Sequence, residues 1–137
     1  MPTPNELFLS HAHPDHDTLL RLSRELTRHG VAHWYAEREI LGAQQWHDEI
    51  GEALNRCDWF AVLVSPAAVE SWWVKEELTY ALRQPRYVNR IVPIVVETVE
   101  MDRLSWTLGN RQSVSLIPDF EAGVRDLLRI WGIGYRG

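Results

Sequence analysis

The residues best suited to chemistry lie in one stretch, Ser71-Trp72-Trp73-Val74-Lys75-Glu76-Glu77-Leu78, with Tyr80 and Ala81 just beyond it. Residues four apart share a helical face, so Trp73 and Glu77 are neighbours if the stretch is helical. Trp72 and Glu76 make a second such pair. An aromatic plate beside an acid can hold a flat cationic ring and stabilise developing positive charge. The pairing alone decides little, because a large aromatic on an amphipathic helix is most often a core residue.

The surrounding elements must position that stretch. It follows Trp59 to Val64, the most apolar short run in the chain, as expected of a strand covered on both faces. Ser65-Pro66 ends the run, and proline suits the first position of a helical turn. A helix is then expected to run to about Gln84, ahead of Pro85. Upstream, Glu6 to Ser10 reads as a buried strand and His11 to Asp17 as a polar turn. Asp15 or Asp17 is placed to cap a helix whose stripe is Leu19, Leu22 and Leu26 and which Gly30 ends. Val31 to Tyr35 is a second strand. After the charged loop Ala36 to Ala43, Trp46, Ile50, Ala53 and Leu54 mark one face of a helix.

Downstream, Arg90 to Val96 is a fourth strand, where Pro93 predicts a bulge or a place near the sheet edge. Glu97 to Gln112 is mixed, with short helical pieces at most. Ser113 to Ile117 is a fifth strand. Phe120, Val124, Leu127, Leu128 and Trp131 give a last amphipathic helix, closed by Gly132. Alternating strands and helices predict a parallel sheet with helices on both faces and right-handed crossovers. Five strands suit a flavodoxin-like three-layer α/β sandwich of order 2-1-3-4-5. Ligands of such sheets bind at the switch point between strands one and three, outside the carboxyl ends of the strands. The loop after strand one and the Trp/Glu stretch both lead there.

The length of 137 residues fits one domain, with its core at about residues 6–132 and no internal repeat or linker. The Gly-Ile-Gly-Tyr-Arg-Gly end reads as a tail, or as the edge of a piece cut from a longer chain. A net charge of −5 and the lack of a basic stripe argue against a nucleic-acid surface. One cysteine, Cys57, cannot form an internal disulfide, which points to a reducing, cytoplasmic setting. No apolar run reaches the roughly 18 residues of a membrane span, and no signal-peptide core is evident at the N-terminus.

A rival string is Ser10-His11-Ala12-His13-Pro14-Asp15-His16. Read alone, it resembles the first zinc motif of metallo-β-lactamase-type hydrolases. That fold needs strands before the motif and histidines well after it, on a longer chain. Here ten residues precede His11 and no histidine follows His47. The string is therefore expected to be a solvated loop and helix cap, with no metal. There is no Gly-rich phosphate loop and no Gly-x-Ser-x-Gly. A phosphoacceptor of the receiver type would need acids where Leu9-Ser10 and Val64-Ser65 stand.

Five pieces, taken in order and spacing, resemble a bacterial Toll/interleukin-1 receptor (TIR) domain. They are Leu7-Phe8-Leu9-Ser10-His11-Ala12 with Asp15; Gly30-Val31 leading to Trp34-Tyr35-Ala36-Glu37; Glu39-Ile40-Leu41-Gly42 with Trp46, Ile50, Ala53 and Leu54; Val62-Leu63-Val64-Ser65-Pro66; and Ser71-x-Trp73-Val74-x-x-Glu77-Leu78. The likeness covers about residues 6–130. It implies cleavage of NAD+ at the nicotinamide–ribose bond, giving nicotinamide and ADP-ribose or a cyclic isomer. Glu77 would be the catalytic acid of the Trp-x-x-x-Glu motif, in preference to Glu76. Phe8, Ser10, His11, Trp46 and Trp73 would bind substrate, with NAD+ as substrate rather than cofactor. The BB loop, with Glu39, Ile40, Leu41 and Gly42, would serve TIR–TIR self-association. Ala36 stands where the family often has aspartate, so the form of the product is left open. The resemblance also implies a fused or separate sensor and a role in antiphage defence or as an effector. A non-catalytic TIR–TIR signalling module is the alternative.

Overall fold

The computed structural model describes residues 2–37 and 43–137, with the side chains of 43–46 and 110 set aside. Five strands form one sheet: β1 (Leu7–Ser10), β2 (His33–Tyr35), β3 (Trp59–Val64), β4 (Ile91–Val95) and β5 (Val114–Ser115). The order is β2-β1-β3-β4-β5, and every described pairing is parallel. Among the described residues the α-helices are α1 (His16–Arg28), α2 (Ala43–Arg56), α3 (Pro66–Glu70), α4 (Trp72–Leu82) and α5 (Phe120–Ile130), with short 3-10 turns between some elements. The doubly wound sandwich expected from the alternation is the one observed.

Side-chain alternation divides the core into two layers. Leu7 and Leu9 of β1, with Trp59, Ala61 and Leu63 of β3, face α1 and α5 and pack with Leu19, Leu22, Leu26, Val124, Leu127 and Leu128. Phe8 of β1, with Phe60, Val62 and Val64 of β3, faces the other way, onto α2, α3 and α4. Both β1 and β3 are buried along their whole length, which is why they read as unbroken apolar runs. The chain moves one way across the sheet through α1 and the other way through α2. Crossovers of one hand then place these helices on opposite faces.

Several local details differ from the sequence expectation. Asp15 sits at the N-cap position of α1, yet its side chain makes no capping hydrogen bond. It is drawn instead to Ser65, 50 residues away. Pro93 causes no bulge, since the β3–β4 register runs unbroken from Phe60↔Ile91 to Val64↔Val95, but the other expectation holds, because β4 lies next to the edge strand β5. The backbone groups of Arg90 and Val96 bond to β3, whereas the Val95 carbonyl accepts from Leu116. By alternation Pro93 also points away from β3, towards the two-residue β5. Its missing N–H therefore falls where little of a ladder exists. The helix expected to reach Gln84 ends at Leu82.

Gly30 and Gly132 end α1 and α5 with φ of +75° and +72°, the left-handed conformation a glycine adopts without strain. Gly123 serves another purpose. A Cβ there would lie 2.2 Å from the Ser115 carbonyl oxygen, so α5 can lie against β5 only because this residue has no side chain.

Candidate active site

Alternation in β1 gives Ser10 the same facing as Phe8, towards α4. Two serines then set up α4. Ser65 closes β3, and its Oγ accepts the Ala68 N–H at 3.0 Å, capping α3. Ser71 does the same for α4, accepting the Val74 N–H at 3.2 Å. The chain restarts its helical winding at Ser71, which fixes the face that α4 turns inward. That face carries Val74, Glu77, Leu78 and Ala81.

Glu77 is the one acid on it and is 3% exposed. The Ser10 hydroxyl donates to its Oε1 at 2.7 Å. A buried carboxylate is costly without such donors, so this bond across the β1–α4 junction holds the acid in one orientation. Glu76, one residue earlier, is exposed. Trp72 is 62% exposed, whereas Trp73 is half-buried against the core. The two indoles meet edge to face, with centroids 4.6 Å apart. The Trp73/Glu77 pair is thus the buried one, and the Trp72/Glu76 pair is exposed.

Glu77 also lines a cavity of about 290 Å³ between α2 and α4. Trp72, Trp73 and Tyr80 form its aromatic side, and Ile50 and Leu54 of α2 face them. Glu76 and Glu77 make one part of the wall acidic, and Asn55 and His47 add polar groups from α2. The sequence reading did not single out Asn55 or Tyr80 for a role. The available signal was spacing: Tyr80 lies one turn beyond Glu77, and α2 turns its apolar stripe towards the same groove.

The loop after β1, which directly follows Ser10, forms a second, polar cluster. His11 is 3% exposed, and its Nε2 lies 3.0 Å from His16 Nδ1, with Tyr35 edge-on to both rings. Asp15 is buried and accepts from the Ser65 hydroxyl at 2.5 Å. Burial raises the Asp15 pKa above its ordinary value. The hydrogen bond from Ser65 opposes this, and the negative charge of Glu97 adds to it. The Asp15–Ser65 bond ties the β1–α1 loop to the end of β3, next to the residues that carry Ser10 and His11. Among the described residues no group of three or more His, Cys, Asp or Glu side chains is arranged to hold a metal ion. Cys57 is buried, and its thiol is pushed up to about 12, mainly by burial, which leaves it without thiolate chemistry near neutral pH.

The other residues singled out from the sequence fall as follows. Phe8 is fully buried, with Trp34 and Phe60 as ring neighbours at 5.2 and 5.3 Å, and it is not among the residues that line the cavity. Trp46 belongs to α2, but its side chain is outside the described residues. Glu39, Ile40, Leu41 and Gly42 also lie outside them.

These features define a parallel, doubly wound α/β domain with a buried carboxylate near the carboxyl edge of its central strands. The sequence profile of the TIR domain matches residues 7–128, and the chain belongs to the TIR-domain family. It is 24% identical over 130 residues to the 2' cyclic ADP-D-ribose synthase BtTIR of Bacteroides thetaiotaomicron, covering 89% of this chain and 45% of that protein. It is 27% identical over 117 residues to the NAD(+) hydrolase TcpC of Escherichia coli O6:H1 (strain CFT073), covering 82% of this chain and 38% of that protein. The chain thus spans less than half the length of both curated relatives. Its fold resembles the crystal structure of the TIR domain of the Toll-related receptor TRR-2 from Hydra magnipapillata. That match has a TM-score of 0.74 and 17% identity, covering 91% of this chain and 96% of the other. At this identity the likeness is one of fold. Among the described residues no helix is long and apolar enough to cross a membrane.

Proposed function

We propose that this domain cleaves NAD+ at the bond between nicotinamide and ribose. The observation that carries the reading is Glu77: an acid 3% exposed, oriented by the Ser10 hydroxyl, on the wall of an aromatic-sided cavity. Membership in the TIR family supports it, as do two relatives named for NAD+ hydrolysis and cyclic ADP-ribose synthesis.

The chemistry follows from the charge. In NAD+ the pyridinium nitrogen is cationic, so nicotinamide departs as a neutral molecule. The C1'–N bond breaks with its electron pair going to nitrogen, and positive charge spreads over C1' and the ring oxygen of the ribose. An ionised Glu77 beside the ribose hydroxyls stabilises that charge in a site poor in water, where a carboxylate acts most strongly. Water then adds to C1' and releases a proton, giving ADP-ribose. Alternatively a hydroxyl of the same molecule adds and gives a cyclic isomer. Trp73 and Tyr80 keep bulk water away from the leaving ring and offer flat surfaces to it.

Beyond the domain itself, we propose that self-association through the BB loop, with Glu39, Ile40, Leu41 and Gly42, completes the site with residues of a neighbouring copy. The activity would serve a cytoplasmic antiphage response triggered by a fused or separate sensor. A purely non-catalytic signalling module has no evident use for a desolvated, hydroxyl-oriented glutamate.

The test is release of nicotinamide from NAD+ by the wild-type protein and by Glu77→Ala over a range of protein concentrations. We expect release by the wild type that rises more steeply than linearly with protein concentration, and at least a hundredfold loss in the variant. No release by concentrated wild-type protein, or equal release by the variant, overturns the catalytic reading. Strictly linear behaviour overturns the shared site alone.

A further inference from the structure

The polar groups of the cavity wall on α2 have no part in the chemistry above, and one of them has its orientation fixed. Asn55 Oδ1 receives the Tyr80 hydroxyl at 2.7 Å and Arg86 Nη2 at 3.2 Å. Arginine can only donate, so the Asn55 atom facing it must be the oxygen. The choice between amide oxygen and nitrogen, usually ambiguous, is therefore settled by chemistry. With both oxygen lone pairs engaged, the Asn55 side chain has one function left to offer, the two N–H donors of its amide. Arg86 is itself anchored by a second bond, from Nη2 to the Leu54 carbonyl at 2.6 Å. Tyr87 donates to the same carbonyl at 2.7 Å. The end of α2 that carries Asn55 is thus held from two sides.

Asn55 lines the same cavity as Trp73, Glu77 and Tyr80. Tyr80 follows Glu77 by three residues, about one helical turn or roughly 5 Å along α4, and its hydroxyl meets Asn55, so the acid and the amide lie at different heights of the same groove. A substituted pyridinium ring fits that layout. Its ring nitrogen would lie at the acidic end, its flat body between the aromatic side and Ile50 and Leu54, and an acceptor oxygen on the far side of the ring at Asn55.

We propose that Asn55 is the residue that recognises the leaving group, its amide N–H donating to the carboxamide oxygen of nicotinamide. Tyr80 and Arg86 are positioning residues that hold the amide oxygen and so aim the donor. This inference rests on the NAD+ reading, but its test is a binding measurement that needs no turnover.

The experiment titrates nicotinamide, and separately unsubstituted pyridine, into the wild type, Asn55→Ala and Asn55→Asp, followed by ligand- and protein-observed NMR. Asn55→Asp is the informative variant. It keeps an oxygen for Tyr80 and Arg86, and so keeps the end of α2 in place, but it has no N–H to give. Expected are saturable nicotinamide binding by the wild type and about tenfold weaker binding by both variants, the loss of one good hydrogen bond. Pyridine, which has no carbonyl, should bind all three proteins equally. Unchanged nicotinamide affinity in Asn55→Asp, an equal loss for pyridine, or no saturable nicotinamide binding by the wild type overturns the assignment. Nicotinamide binding that depends on Asn55, in a protein that releases none from NAD+, would instead overturn the catalytic reading and leave the subsite standing.

Discussion

The two faces of the sheet are built differently. The face covered by α1 and α5 is packed with leucine, valine and isoleucine, with Trp59 and Trp131 edge to face at 5.6 Å. On the face covered by α2 and α4, the same strands supply Phe8, Phe60 and Val62, but Ser10, Glu77, Ser65 and Asp15 are buried around its edge. The first arrangement is stabilised chiefly by apolar burial, although the indole N–H groups of Trp59 and Trp131 are buried there without a hydrogen-bond partner among the described residues. The second places carboxylates where water would solvate them better, and each needs a hydroxyl partner in compensation. Such departures from an apolar core concentrate where a protein does chemistry. On the proposed reading, function belongs to the α2/α4 face and stability to the α1/α5 face.

Substitutions can break that division or sharpen it. The largest effect is expected from Glu77→Gln, which removes the charge but keeps the shape. Nicotinamide release should fall by two orders of magnitude or more, with thermal stability changed far less, since the amide keeps the shape and an oxygen for the Ser10 hydroxyl. Activity and stability falling together would contradict the division. Leu127→Ala, at a fully buried position in the apolar core of the other face, should do the opposite. Denaturant unfolding should show a loss of about 2–5 kcal/mol, with kcat per folded molecule little changed.

Ser10→Ala tests whether the two parts of the polar face act together. It leaves the acid in place but removes the donor that orients it, so kcat should fall roughly tenfold or more. Unchanged kcat would mean that the Ser10 hydroxyl does not aim Glu77. The smallest effect is expected from Asp15→Asn. The Asp15 pKa is raised by folding, so the folded protein holds its proton more tightly than the unfolded chain does. Asp15 therefore contributes stability below its unfolded pKa, and this is lost as pH rises through the folded pKa. The amide variant should flatten that part of a plot of melting temperature against pH, and at neutral pH it should be as stable as the wild type or slightly more so. An unchanged profile would place the titration elsewhere.

Gly123 shows why some packing could not be read in advance. A glycine inside an amphipathic helix looks like a weak position in the sequence. Only the approach of the Ser115 carbonyl shows that any Cβ there would collide with backbone. Asp15 teaches the same lesson for polar groups. An acid just before an apolar stripe is a reasonable helix cap, but a buried hydroxyl 50 residues away outcompeted the local N–H groups.

What the sequence determined was whatever depends on neighbours along the chain. Apolar runs and helical stripes set the elements and their order. Alternation within β1 and β3 assigned side chains to the two faces, and spacing put Trp73 and Glu77 on one side of α4. The tertiary structure decided which of two adjacent glutamates is desolvated, because Glu76 and Glu77 differ only in how α4 sits on the sheet. It also decided that Ser10, 67 residues away, holds Glu77, and that α2 supplies the opposite wall of the cavity with Asn55 turned by Tyr80 and Arg86. Local periodicity carries no information about partners so distant. Those contacts exist only once the sheet has brought the ends of β1 and β3 together beneath α4.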